Sequence, residues 1–184
     1  AAEPQRSPPP APTKPPPRPP VRGWLALGPR IELGRSELVE AGADLVGGAW
    51  LARDRVQPLG SLGSTATSQS GISLVHTRVG AGLAVGAPLK DPRIWLGGHV
   101  LAHALWVRAR EGSTVDTWHA AAEVGGLLQY RGQRLLLGLR TGADLTLPPL
   151  SVQGGHARIR RGPVRFFVGL VIGVVFGGPR VGRL

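Results

Sequence analysis

The chain has 184 residues with 22 Lys and Arg, 11 Asp and Glu, a formal net charge of +11, and neither Cys nor Met. This length suits one folded domain with a tail, and the lack of Cys excludes disulfides, thiolate metal sites and Cys nucleophiles. The arginines are spread over the chain, and only Arg158, Arg160, Arg161 and Arg165 form a basic cluster. Because no basic stripe with interleaved aromatics is present, the charge does not predict a nucleic-acid partner.

The N-terminal segment differs in composition from the rest of the chain. Residues 1–20 (AAEPQRSPPPAPTKPPPRPP) are half proline, which removes backbone donors and favours an extended polyproline II chain with no apolar surface to bury. We expect a disordered spacer, and the PPPRPP run leaves open a second role as a ligand for a proline-binding groove. The start, Ala1-Ala2-Glu3-Pro4, resembles what remains after cleavage of an export signal behind small residues, so we expect an exported protein.

From Val21 onward, apolar residues recur with a period of two, which is the period of a β-strand. The pattern predicts strands at 22–33, 42–52, 56–64, 72–86, 94–108, 117–130, 134–147 and 164–176. The third is the weakest and contains Pro58. Most exceed the five or six residues typical of soluble strands and reach the about nine to eleven residues that cross a bilayer at a tilt.

The segments between these strands have turn chemistry. Short polar breaks occur at 53–55, 88–92 and 131–133, and longer ones at 34–41, 65–71, 109–116 and 148–163. Short and long connections alternate along the chain. This alternation is typical of an up-and-down β-barrel in an outer membrane, with tight turns on the periplasmic side and longer loops outside.

Ionisable residues keep to one side of the alternation in each clear strand. In the last strand, Val168, Leu170 and Ile172 share a face that excludes Arg165, and the sixth and seventh strands repeat this separation. The less apolar face is also rich in glycine: Gly28, Gly48, Gly80, Gly82, Gly97, Gly125, Gly138 and Gly142. Glycines interleaved with a few charges fit the narrow interior of an eight-stranded barrel.

The period alone does not say which face is outside. In a soluble barrel or sandwich the charges would face water, and the apolar face of a barrel would line a pocket for a lipophilic small molecule. The less apolar face of these strands carries only a few charged residues, and their signs are balanced. The water-facing side of a soluble sheet is, in contrast, rich in charged residues. We therefore interpret the less apolar face as the lumen and the apolar face as the surface toward lipid.

This orientation predicts a set of ionisable residues inside the barrel, in which acids and bases are nearly matched. The set is Arg30, Glu32, Asp44, His76, Arg78, His99, His103, His119, Glu123, Arg140 and Asp144. Charges in a narrow interior persist when they are paired and hydrogen-bonded, so we expect a salt-bridge network that fills the lumen. A narrow channel for small solutes is the functional alternative.

The sequence predicts no catalytic, cofactor or metal site. His99 and His103 are four residues apart on one strand, about 13 Å along it, so they do not chelate one ion by themselves. Glu123 and Asp144 lie on neighbouring predicted strands, but no Ser/His/Asp set or glycine-rich phosphate loop accompanies them. We expect that the protein is not an enzyme.

Aromatic residues occur near the ends of the predicted strands. Trp106 and Trp118 have the parity of the apolar face near the predicted outer interface, as Tyr130 and Phe176 have near the inner one, which is typical of interfacial girdles. Inward parity near the periplasmic end is shared by Trp24, Trp50 and Trp95. We expect these three to close that mouth of the barrel.

The layout, and the last strand VRFFVGLVIGVVF ending on Phe176, resemble the small eight-stranded outer-membrane β-barrels of Gram-negative bacteria. The resemblance implies an all-β, antiparallel up-and-down transmembrane barrel over 21–176, with residues 1–20 as a periplasmic spacer and 177–184 as a C-terminal tail. It also implies a porin-like monomer in the cell outer membrane with a structural or interaction role. Its partners would be outer-membrane lipid and, through the proline-rich segment, cell-wall or periplasmic proteins.

Overall fold

The computed structural model describes residues 21–34, 39–69, 71–111, 113–149, 151–154, 157–160 and 162–177, so the predicted spacer at 1–20 and nearly all of the tail at 177–184 lie outside the described residues. The described residues form ten strands: β1 (Arg22–Gly34), β2 (Val39–Trp50), β3 (Val56–Gln69), β4 (Ile72–Pro88), β5 (Ile94–Glu111), β6 (Ser113–Arg131), β7 (Leu135–Leu147), β8 (Ser151–Gly154), β9 (Ala157–Arg160) and β10 (Val164–Phe176).

Eight of these strands close into one antiparallel barrel. Their order around the barrel is β1-β10-β7-β6-β5-β4-β3-β2, and the ring closes where β1 pairs with β10. The short strands β8 and β9 form a separate two-stranded sheet within the connection from β7 to β10. In the described part of the chain, no helix is long and apolar enough to cross a membrane. The predicted all-β up-and-down barrel is confirmed.

Two predicted loops are wrong, because the strands on either side of them continue. The sequence predicts longer connections at 65–71 and 109–116, but β3 and β4 stay paired up to Gln69 and Ile72, and β5 and β6 up to Glu111 and Ser113. The hydrogen bonds between paired strands come from the backbone. Polar segments rich in Ser and Thr can therefore extend a strand, although they lack the alternation of apolar residues by which a strand is predicted.

We call the end of the barrel formed by connections 51–55, 89–93 and 132–134 the turn end. At 51–55 the Leu51 amide donates to the Val56 carbonyl at 2.8 Å, and Ala52, Arg53 and Asp54 have positive φ angles of 48°, 59° and 66°. At 89–93 the side chain and amide of Arg93 donate to Asp91 and lower the pKa of that carboxyl below its usual range. The turn end is therefore built from compact, hydrogen-bonded connections.

Side chains alternate between the lumen and the outside. On β10, Leu170 is 58 % exposed, whereas the inward residues Phe167 and Val171 of the same strand are buried. The outward positions form what we call the apolar band: Leu25, Leu27, Ile31, Leu33, Val39, Leu62, Val75, Val79, Leu83, Val85, Leu96, Val100, Val115, Trp118, Val124, Leu128, Tyr130, Leu135, Leu137, Leu139, Leu145, Leu147, Val164, Phe166, Val168, Leu170, Ile172, Val174 and Phe176.

Inward glycines allow neighbouring strands to approach closely. Gly142 of β7 lies opposite Gly125 of β6, and a Cβ at Gly142 would lie 2.2 Å from the Val124 carbonyl oxygen and 3.0 Å from Cε1 of Phe167. A real side chain would have to displace backbone at this point, so only glycine fits without a shift of the strand.

The lumen at the turn end is filled by apolar side chains. Trp24, Trp50 and Trp95 are buried there with a cluster of smaller residues: Ala26, Val46, Leu59, Ala84, Leu101, Leu127, Leu136, Val171 and Val175. The rings of Trp24 and Trp50 are 6.3 Å apart, and Trp95 Nε1 donates to the Asp54 carbonyl at 2.6 Å. We call this cluster the tryptophan plug. It closes the mouth at which the sequence places these three tryptophans.

Candidate functional site

Arg30, in the middle of β1, is 1 % exposed and surrounded by carboxylates from four strands. Its Nε lies 2.8 Å from Glu32 Oε1, and its Nη1 lies 2.6 Å from Glu123 Oε2 and 3.3 Å from Asp44 Oδ2. Its Nη2 lies 3.4 Å from Asp144 Oδ2. These acids come from β1, β6, β2 and β7, so a single guanidinium links strands on several sides of the barrel.

Two further arginines complete the centre of this cluster. Arg78 of β4 places Nη2 2.8 Å from Asp44 Oδ1 and also contacts Glu32. Arg140 of β7 places Nη1 3.2 Å from Asp44 Oδ2 and also contacts Glu123. Each of the three acids named here thus receives hydrogen bonds from more than one donor, which is the condition under which buried carboxylates remain charged.

The Phe167 ring lies against the central arginines. The Arg30 guanidinium carbon is 3.8 Å from the ring centroid, and that of Arg140 is 5.9 Å away. The His99 ring is 6.2 Å from the same centroid and tilted. The ring therefore adds a cation–π contact to the ion pairs of these arginines.

A second group of charges lies farther from the turn end. Glu40 of β2 places Oε1 3.1 Å from Arg165 Nη1, and its other oxygen lies 3.0 Å from His76 Nδ1. The Thr65 hydroxyl also donates to Glu40, at 3.3 Å. Arg165 Nε lies 3.5 Å from Glu32 Oε2, which joins this group to the central one.

Two more histidines face the lumen and have different partners. His99 Nε2 lies 2.7 Å from Glu123 Oε1. His103 Nε2 lies 3.0 Å from the Ser61 hydroxyl rather than beside a carboxylate. Of these two, His99 contacts a carboxylate of the cluster and the predicted member His103 does not. In the part of the chain that the structure describes, no three His, Cys, Asp or Glu side chains are grouped as a metal site.

We call the connected ionisable groups the lumen network: Arg30, Glu32, Glu40, Asp44, His76, Arg78, His99, Glu123, Arg140, Asp144 and Arg165. It contains five carboxylates and four guanidiniums, and two imidazoles lie against carboxylates. Charges of opposite sign nearly cancel. An almost neutral, fully paired cluster is the form in which many charges persist in a space that excludes water.

The structure buries every residue of the predicted lumen set except one. His119 is only partly buried, and its Nε2 lies 3.1 Å from the Thr117 hydroxyl. His119 lies four residues from Glu123 along β6, which is about 13 Å. The structure does not place His119 in the network, because its Nε2 contacts the neutral Thr117 hydroxyl rather than a carboxylate.

Two members of the network are absent from the predicted set. Glu40 falls within the stretch 34–41, which the sequence predicts as a connection, and Arg165 has inward parity but is not in the set. Glu40 also has inward parity, because it lies an even number of residues, four, from the predicted member Asp44 on β2. Extending the alternation through that connection would have found Glu40.

Two buried amide side chains lie beside the tryptophan plug at the turn end. Trp24 Nε1 donates to Gln57 Oε1 at 3.2 Å, and Gln57 Nε2 donates to Gln129 Oε1 at 3.2 Å. Toward the turns, Arg131 Nη1 lies 3.0 Å from Asp54 Oδ2. Trp24, Gln57 and Arg131 thus have polar partners at this end of the barrel, whereas the buried Trp50 Nε1 and Gln129 Nε2 make no hydrogen bond within the described part of the chain.

The outward face carries aromatic residues near both ends of the apolar band. Trp106 and Trp118 are paired across β5 and β6 with ring centroids 6.5 Å apart, and Trp118 is 70 % exposed. Tyr130 and Phe176 are exposed near the turn end. This arrangement matches the two aromatic girdles of a barrel in a bilayer.

The fold and the inward-facing charges define a small eight-stranded β-barrel of the outer-membrane type. No family model and no curated protein matches the chain, but solved structures do. The attachment invasion locus protein Ail of Yersinia pestis has a TM-score of 0.52 at 12 % identity, covering 86 % of this chain and 99 % of Ail.

Two further structures have the same fold. A major outer membrane protein from Thermus thermophilus has a TM-score of 0.61 at 10 % identity, over 85 % of this chain and 99 % of that one. Neisserial surface protein A has a TM-score of 0.56 at 9 % identity, over 84 % and 95 %. At these identities the likeness concerns the fold. The chain has the fold of the small eight-stranded outer-membrane β-barrels, as its last strand predicts.

Proposed function

We propose that this chain is an integral outer-membrane protein, that its barrel spans the lipid bilayer, and that its role is structural or interaction-related rather than enzymatic. One observation carries the proposal: the polarity of the barrel is inverted relative to a water-soluble one. Arg30 is 1 % exposed inside, while the next residue, Ile31, is 43 % exposed outside. If the barrel were soluble, the whole apolar band would be exposed to water, which is unfavourable. In a bilayer the same band would lie against hydrocarbon, which solvates it favourably.

The same polarity argues against the soluble alternative. A soluble barrel that binds a lipophilic molecule needs its apolar face around a central cavity. Here the middle of the lumen holds the lumen network, and the large apolar residues of β7 and β10, such as Leu137 and Leu170, are exposed on the outside. In the middle of the interior, a lipophilic ligand would therefore meet charged side chains instead of apolar walls.

The filling of the lumen argues against the channel alternative. The tryptophan plug closes the turn end, and the lumen network fills the middle with side chains that are almost inaccessible. Eight strands leave space for side chains and little more. We therefore expect no steady conductance when the protein is reconstituted into a planar bilayer. An ion-conducting state of the unmodified protein would favour the channel.

The turn end supports an orientation. Outer-membrane barrels have short turns on the periplasmic side and longer loops outside, and the longest connection of this barrel, between Leu147 and Val164, lies at the end opposite the turn end. The first and last residues of the barrel strands, Arg22 and Phe176, lie at the turn end. The proposal places residues 1–20 in the periplasm, within reach of periplasmic or cell-wall proteins. A monomer suffices, because one chain closes its own seam between β1 and β10.

Fractionation tests the membrane assignment directly. The protein should be found in the outer-membrane fraction, and its band in SDS gels should shift when the sample is boiled, as expected of a barrel that resists SDS until heated. A water-soluble monomer obtained without detergent would contradict the proposal.

Orientation can be tested with single cysteines, because the chain has none of its own. Lys90 is exposed at the turn end, and Thr114 is exposed on β6 at the opposite end. In intact cells a membrane-impermeant maleimide should label Thr114→Cys, and it should label Lys90→Cys only after the outer membrane is permeabilised. The reverse pattern would invert the orientation.

A further inference from the structure

The turn end carries an excess of positive charge that neither the fold nor the lumen network uses. We call the residues concerned the rim cations: Arg22, Arg53, Arg55, Lys90 and Arg134. All are exposed except Arg22, which is half-buried and whose guanidinium lies 5.5 Å from the centroid of the Trp50 ring. They are distributed over all three turns and the start of β1.

The acids at this end already have partners. Asp54 forms an ion pair with Arg131 at 3.0 Å, and Asp91 forms one with Arg93 at 2.9 Å. Among the described residues, no carboxylate forms an ion pair with a rim cation. At the opposite end, the exposed Arg108 is neutralised by Asp116 in a two-fold contact at 2.9 and 3.1 Å.

The rim cations surround the barrel instead of forming a patch on one side. Following the strand order, Arg22 lies at β1, Arg134 between β7 and β6, Lys90 between β5 and β4, and Arg53 and Arg55 between β3 and β2. A protein partner that docks from one side would meet only part of this ring. An annulus of lipid headgroups would meet all of it.

The level of the rim cations also fits headgroups. Each turn contains or adjoins an exposed leucine near its cation: Leu51, Leu89 and, at the start of β7, Leu135. In the turn of Lys90, the paired Arg93 guanidinium lies 5.8 Å from the ring centroid of Tyr130, which belongs to the aromatic girdle. The charges therefore begin where the apolar band ends, which is the depth of lipid phosphates in a bilayer.

We propose that the rim cations bind the phosphate groups of anionic phospholipids in the leaflet at the turn end, and so select these lipids over zwitterionic ones. The proposal rests on the proposed function only in requiring that the barrel spans a bilayer. Each cation near an anionic lipid surface strengthens the interaction by up to about fivefold at low salt. The selection is electrostatic and should weaken as salt is added.

The test measures lipid selectivity of the full chain in phosphatidylcholine nanodiscs. Electron paramagnetic resonance of spin-labelled phosphatidylglycerol and spin-labelled phosphatidylcholine gives the relative affinity of each lipid for the protein surface. The variant Arg53→Gln/Arg134→Gln removes two rim cations from different turns. Its matched control, Arg108→Gln/Arg110→Gln, removes the same charge from exposed positions at the opposite end.

The unmodified protein should prefer phosphatidylglycerol at low salt and lose that preference in about 1 M salt, where the Debye length is about 3 Å. In the rim variant the preference for phosphatidylglycerol over phosphatidylcholine should be several-fold smaller, and the control variant should keep the preference of the unmodified protein. Equal losses in both variants would overturn the proposal, because they would reflect net charge alone. A folded, heat-modifiable barrel without any lipid preference would overturn it while leaving the proposed function intact, whereas failure to insert into nanodiscs would contradict both.

Discussion

Arg30 Nη1 and Glu123 Oε2 lie 2.6 Å apart although their residues are separated by 93 positions in the sequence. Arg30 belongs to β1 and Glu123 to β6, and these strands are not neighbours in the barrel. The contact therefore crosses the lumen. It ties together two parts of the wall that no backbone hydrogen bond connects.

Removing one charge of the lumen network should leave a buried, incompletely compensated charge on its partners. Arg140→Leu takes a donor from Asp44 and Glu123, and we expect a loss of about 3–5 kcal/mol in the free energy of unfolding. Adding Glu123→Gln should recover part of that loss. Urea unfolding of the four proteins of this cycle in detergent or lipid vesicles measures the coupling.

The exposed pair Arg108 and Asp116 is the matched control for that cycle. Its hydrogen-bond geometry is comparable, but its side chains are 49 % and 42 % exposed. The same analysis with Arg108→Leu and Asp116→Asn should give about 0–1 kcal/mol. If the two cycles gave equal, small couplings, the burial of the network would be disproved.

A charge in the middle of the apolar band should impair insertion. Leu170→Arg places a guanidinium mid-strand on β10 and should cost about 2–4 kcal/mol, because the bilayer midplane does not solvate it. Val164→Arg, at the end of the same strand, should cost only about 0–1 kcal/mol. Folding yield in lipid vesicles, read from the heat-modifiable band, compares the two. Equal yields would contradict the assignment of this face to lipid.

A side chain at Gly142 should force the sixth and seventh strands of the barrel apart. We expect Gly142→Ala to destabilise by about 1–3 kcal/mol, as overpacking does. Gly60→Ala is the control, because a Cβ at Gly60 on β3 would meet nothing within 4 Å. Thermal unfolding followed by circular dichroism measures both. A stable Gly142→Ala variant would show that the strands tolerate a wider spacing.

Truncation of the tryptophan plug should open a cavity. Trp95 is fully buried, and Trp95→Ala should cost about 3–5 kcal/mol. Trp118→Ala removes an equally large side chain from the outward face, where no cavity results, and should cost clearly less. Equilibrium unfolding in detergent distinguishes the two. A smaller loss for Trp95 than for Trp118 would mean that the plug contributes little to stability.

The barrel could be predicted because the polarity signal is local. On β10, Arg165 on one parity and Leu170 on the other define the inward and outward faces without knowledge of any partner strand. The same rule identifies the inward position of Asp44 and Arg140, since one lumen receives the less apolar face of each strand.

The extent of the strands and the pairing within the lumen could not be predicted in the same way. The end of β3 up to Gln69 has no apolar alternation, and only its ladder with β4 makes it a strand. Likewise, parity puts both His119 and Glu123 inward, but which charges meet depends on the stagger between strands. Arg140 meets Glu123 while Asp144 meets Arg30, and that selection arises only when the barrel closes.

The crossing contacts of Arg30 bear on the order in which the barrel can assemble. Arg30 is on the first strand, and two of its acids, Glu123 and Asp144, are on the sixth and seventh. A sheet that has entered the bilayer without those strands would leave Arg30 with only Glu32 and Asp44 as partners and would expose this incompletely paired cluster to hydrocarbon, at a cost that rises toward the midplane. The contacts across the lumen form only when the barrel closes, so we expect partly inserted sheets to be less stable in lipid than the closed barrel, and the barrel to form cooperatively.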